Sequence, residues 1–166
     1  MLLQIDDWEF DIDMKATMEY STNETADHCT CAYCRNFYVT IDEIYPKLRP
    51  FLAQFGINVE APDELMPFDL PNQMNYDGVY VVSGKILATG RSLLCVDGVQ
   101  IAPEYDSQIN HPQLHPCFYL TVNDIQLPWV LEEPMNDVIS PANFPSFLKK
   151  MWNKLLNRQP KNDITS

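Results

Sequence analysis

The sequence predicts an α+β domain, with a mainly antiparallel sheet and helices packed on one face. Three observations carry this. Residues 8–12 alternate, with Trp8, Phe10 and Ile12 on one side and Asp7, Glu9, Asp11 and Asp13 on the other, which is the period of a half-buried strand. Residues 76–131 hold short runs rich in Val, Tyr, Ile and Leu, two of them flanking Asp97-Gly98, a strong hairpin signal. Apolar residues recur at helical spacing in two further stretches, one running from Cys34 through Phe37, Ile41, Ile44 and Leu48 to Phe55, the other from Phe144 to Leu156.

Taken in order, the first strand has a charged face that suits solvent. Asp11-Ile12-Asp13 lacks the glycine turn of a calcium loop. Met14–Tyr20 reads as one or two helical turns and Ser21–Asp27 as a polar loop. Pro46 and Pro50 divide the next stretch into two short helices, covering about 34–56, the second closed by Gly56 in a left-handed cap. Thr40 followed by Glu43 resembles a capping box and offers an alternative helix start. Residues 57–76, with Pro62, Pro67 and Pro71, read as an ordered connection. Gly78–Ile86 is expected to be a strand, Leu93–Val96 and Val99–Ile101 a hairpin, and Phe118–Val122 with Ile125–Leu131 a strand pair or bent pair, Pro128 marking an edge or bulge. A final helix is expected at about 143–157, starting near Ser140-Pro141 or Asn143, with a tail from 158. The whole chain, 1–166, is expected to be one domain, with Trp8, Phe10, Phe37, Ile41, Val81, Leu94, Leu120, Trp129, Phe147 and Trp152 in its core.

The 166 residues are 46% hydrophobic, enough for a sizeable core, and carry a net charge of −12. From residue 142 onward the charge is +4, leaving −16 on the rest, which suits docking of the final helix onto the acidic body. Such acidity argues against direct nucleic-acid binding, which needs clustered Lys and Arg, and against an anionic membrane surface. No stretch has the length of a membrane span and no secretory signal is evident. Five cysteines, three of them within six residues, make a poor disulfide framework, so a cytoplasmic protein with reduced thiols is expected.

The one dense cluster of reactive groups is His28-Cys29-Thr30-Cys31-Ala32-Tyr33-Cys34. Three chemistries compete for it. Cys31 and Cys34 have the spacing that turns two thiolates towards one zinc ion; Cys29 and His28 extend the set, and His111, His115 or Cys117 could supply a fourth ligand. A second C-x-x-C is missing. Alternatively, Cys31-Ala-Tyr-Cys34 looks like the redox pair of glutaredoxin-type proteins, with Leu127-Pro128 as the dipeptide on offer for their cis-proline; no strand precedes the motif and no βαβ pattern comes after it. In the third reading the thiols are structural, Cys34 falling in phase with the helical apolar stripe.

Cys29-x-Cys31-x-x-Cys34-x-Asn36-Phe37, together with Leu127-Pro128-Trp129-Val130-Leu131, resembles a group of uncharacterised bacterial proteins with comparable segments at similar places. The resemblance covers two short stretches and implies a bacterial origin, with no activity attached. The chain has no G-x-S-x-G, Walker A loop, G-x-G-x-x-G or H-E-x-x-H. Pro112 and Pro116 deprive the His111–His115 spacing of helical meaning. The leading expectation is therefore a non-catalytic acidic protein that engages a protein partner, basic in character; a zinc-stabilised module and a thiol-disulfide redox protein are the alternatives.

Overall fold

The computed structural model describes residues 1–23, 29–70, 73–104 and 113–133. These belong to one compact unit, Met1–Met135. The expected helix at 143–157, its residues Phe147 and Trp152, and the tail from 158 lie outside the described residues.

The fold is α+β. Among the described residues seven strands form one antiparallel sheet: β1 (Leu2–Ile5), β2 (Trp8–Ile12), β3 (Glu64–Leu70), β4 (Gln73–Ala88), β5 (Leu94–Val96), β6 (Val99–Glu104) and β7 (Cys117–Leu127). Their order is β1-β2-β4-β7-β6-β5, with β3 also on β4. Among the described residues three helices accompany them: α1 (Met14–Thr22), α2 (Ala32–Ile44) and α3 (Leu48–Ala53). No helix among the described residues is long and apolar enough to cross a membrane.

The long strand β4 sets a hydrogen-bonding problem. One edge is paired by β7 from Met74 to Ser83. The other is shared end to end by β3, which reaches Val79, and β2, which begins at Gly84. The backbone between them would be buried without partners, a costly state. Chain outside the sheet fills the gap. Asp63 donates its N–H to the Val79 carbonyl at 2.8 Å, and its carboxylate accepts from Val81 N–H at 2.8 Å. Thr17 of α1, fully buried, accepts from Ser83 N–H at 3.0 Å, and Asp13 N–H donates to the Ser83 carbonyl at 2.8 Å. Asp13 also caps α1 through Ala16 N–H.

α2 and α3 close over one sheet face. Phe37, Ile41, Leu48, Leu52 and Phe55 join Phe10, Tyr80, Phe118 and Leu120 in the main core, and Trp129 packs half-buried against it. Val81 is buried as expected, but strand alternation turns it, with Val79, to the opposite face, outside that cluster. Gly56 comes after α3 at φ +81°; a Cβ there would lie 2.4 Å from the Met14 carbonyl oxygen, so the position tolerates only glycine. Asp97 and Gly98, both at positive φ, make the expected hairpin turn between β5 and β6.

The sequence reading did not include Leu2–Ile5, which is a strand paired to β2 through a turn with Asp6 at φ +53°. Three expectations are corrected. Residues 64–70 are a strand rather than a connection; β3 lies at an edge, where Pro67 is tolerated. Phe118–Val122 and Ile125–Leu127 are one strand, because Asp124 at φ +59° opens a bulge opposite Asp77 and the chain runs on; residues 128–131 have left the sheet. The helix begins at Ala32, not Thr40, whose hydroxyl donates back to the Asn36 carbonyl at 2.6 Å.

Replacing Thr17 by Val keeps the volume and orphans Ser83 N–H. The expected cost is about 1–3 kcal/mol in denaturant unfolding; an unchanged midpoint would show that α1 does not complete the sheet edge. Asp77 supplies a pH test. Burial pushes its carboxyl up from 3.8 to about 6, against the pull of the hydrogen bond from Asp124 N–H. The folded state therefore holds a proton that the unfolded chain releases earlier. This contribution to stability is full below pH 3.8 and lost as pH rises to about 6. Asp77→Asn, which keeps the acceptor, is expected to match wild type near pH 3.5 and exceed it at pH 7 by on the order of 2 kcal/mol. A pH-independent difference would contradict this.

Candidate metal centre

The thiols converge at the start of α2. Cys31 is the residue before the helix, in extended conformation, and Cys34 sits in the first turn, so that i,i+3 spacing places their side chains on the same face. Cys29 precedes them on the loop. The three sulfur atoms all lie within 4.8 Å of one another, close enough to hold a metal ion. Cys29 and Cys31 are exposed, while Cys34 is buried. No other His, Cys, Asp or Glu among the described residues joins the group.

The electrostatics of the three differ. The backbone N–H of Cys31 donates to the Cys29 sulfur and holds that thiol below its ordinary value, with Cys31 and Cys34 side chains adding to the effect. Burial pushes the Cys34 thiol well up, and the neighbouring sulfurs push it further. Tyr38, one turn beyond, is pushed up to about 12, first by burial and then by the charge on Cys34 and Cys29. Three thiolates at this separation repel one another, and a divalent cation among them would remove that cost.

The corner is held by an amide in the helix. Asn36, fully buried, donates through Nδ2 to the Pro128 carbonyl at 3.0 Å and to the Tyr76 hydroxyl at 3.3 Å, while its Oδ1 accepts from Val130 N–H at 2.9 Å. Tyr76 in turn donates to the Tyr33 carbonyl at 3.0 Å. Tyr33 meets Trp129 edge to face at 5.7 Å. Residues 29–37 and 127–131 are thus in direct contact.

The other expected ligands do not gather here. His28 and His111 lie outside the described residues. Cys117 pairs with Ser83, whereas the cluster adjoins Tyr76, which pairs with Ile125. Cys117 and Ile125 are eight positions apart along the strand, or roughly 25 Å. His115 lines a surface groove with Asp11, Asp13 and Lys85 beside Ser83 and Gly84. Neither can complete a site with Cys29, Cys31 and Cys34. Among the described residues every strand pairing is antiparallel, so the parallel βαβ unit that a glutaredoxin-type arrangement needs is not found among them. Sequence reasoning passed over Asn36. Asn36 lies at the border of the apolar stripe through Cys34, Phe37 and Ile41, where residue type alone does not separate a buried amide from an exposed one.

Asn36→Ala leaves the Pro128 carbonyl and Val130 N–H without their partner. It is expected to destabilise the fold by on the order of 3 kcal/mol, and Tyr76→Phe by about 1 kcal/mol. Equal, small losses in thermal unfolding would contradict the clamp. No protein family matches the chain, and no curated protein or solved structure is similar to it.

Proposed function

We propose that the protein is a small metal-binding module in which Cys29, Cys31 and Cys34 hold Zn²⁺. The observation that carries this is the mutual approach of three sulfur atoms within 4.8 Å. Thiolates are soft anionic donors suited to zinc, and a tetrahedral ion would take one further donor beyond these three. The role is structural or in binding: the ion would tie the loop before α2 to the helix and replace sulfur–sulfur repulsion with attraction. The reading as an acidic protein that engages a basic partner has charge alone behind it, whereas the thiol cluster has geometry. A redox role for Cys31 and Cys34 is the second reading, favoured by the exposed thiol at the helix start beside a buried one.

Protein purified without chelator is expected to carry about one zinc per chain by elemental mass spectrometry, and Cys34→Ser to lose it. Zinc affinity is expected to fall as pH is lowered from 8 to 6, because protons compete for the thiolates. Metal-free protein that takes up no Zn²⁺ at micromolar concentration would overturn the reading. A Cys31–Cys34 disulfide in that same protein, reversible with glutathione, would favour the redox role.

A further inference from the structure

Thr30, the residue between the first two thiols, is gripped from outside the loop. Arg35 Nε donates to its carbonyl at 3.0 Å. The same guanidinium pairs through Nη2 with the carboxylate of Glu133. Glu133 is held in turn, since Trp129 Nε1 donates to its carbonyl at 2.8 Å. Trp129 is fixed by Tyr33 on α2 and by the Asn36 clamp on its two neighbours. A chain of contacts therefore runs from the end of β7 to the peptide unit that joins Thr30 to Cys31.

The pair is poorly placed to support the fold itself. The Arg35 and Glu133 side chains are 47% and 44% exposed, and ion pairs in such settings contribute little to stability. Its position matches the outer partners of metal sites, which orient ligands without touching the ion. We infer that Arg35 is a positioning residue for metal binding at Cys29, Cys31 and Cys34, with Glu133 as its anchor. The inference rests on the metal reading above. It makes residues 128–133 part of the site although they supply no ligand. Arginine suits the task because its rigid fork serves the Thr30 carbonyl and the Glu133 carboxylate together; lysine has one flexible nitrogen.

The test is a titration of the full chain with Cd²⁺, read by the ultraviolet thiolate-to-cadmium band, and with Zn²⁺ by competition against a coloured chelator. Arg35→Gln and Glu133→Ala are each expected to weaken both ions 10–100-fold, with the metal-free melting temperature unchanged. Arg35→Lys is expected to recover only part of the loss. Tight binding by wild type and by both variants would overturn the inference while leaving the metal reading intact. Wild type that binds neither ion would remove the metal reading and this inference with it. If Arg35→Gln fails to fold, Glu133→Ala decides alone, because it frees the guanidinium without altering α2.

Discussion

The thiol corner depends on the burial of one amide. Asn36 is fully enclosed on the first half of α2, and its side chain meets the chain leaving β7 at two backbone groups and Tyr76 at a third. A buried amide with partners on both sides fixes orientation in a way that apolar contact does not, since any rotation of the helix breaks several hydrogen bonds at once. The start of α2 is thereby set against the end of the sheet. Cys31 and Cys34, which flank that start, inherit their placement from it.

Three sulfurs held this close create an imbalance that a cation would relieve. Cys34 is buried and resists ionisation, Cys29 is steadied by a backbone N–H, and both lie within reach of Cys31. Without a metal the cluster must keep protons on some sulfurs. With one, the charges that repel become the charges that bind. The acidity of the chain works in the same direction, because a net charge of −12 raises the local concentration of cations near the surface.

Local patterns in the sequence were readable wherever they were strong. Trp8, Phe10 and Ile12 gave β2 its inward face, Pro46 separated α2 from α3, and Asp97-Gly98 marked the β5–β6 turn. β1 escaped because Leu2, Leu3, Gln4 and Ile5 do not alternate in polarity, although their exposure alternates along this edge strand. β3 escaped because Pro67 argues against a strand everywhere except at an edge, and edge position is a property of the sheet rather than of the segment. The thiol spacing was readable, but its companions were not. His115 and Cys117 looked near in kind yet lie at the far end of β7, while Arg35, Asn36 and Glu133 act through contacts between residues nearly a hundred positions apart. Register and long-range pairing, which decide such contacts, leave no local trace.

The most direct measurement of the central claim is X-ray absorption at the zinc edge on protein loaded with one equivalent of Zn²⁺. Three sulfur neighbours at about 2.3 Å with one lighter donor are expected. A shell of oxygen and nitrogen alone, or a single sulfur, would contradict the account.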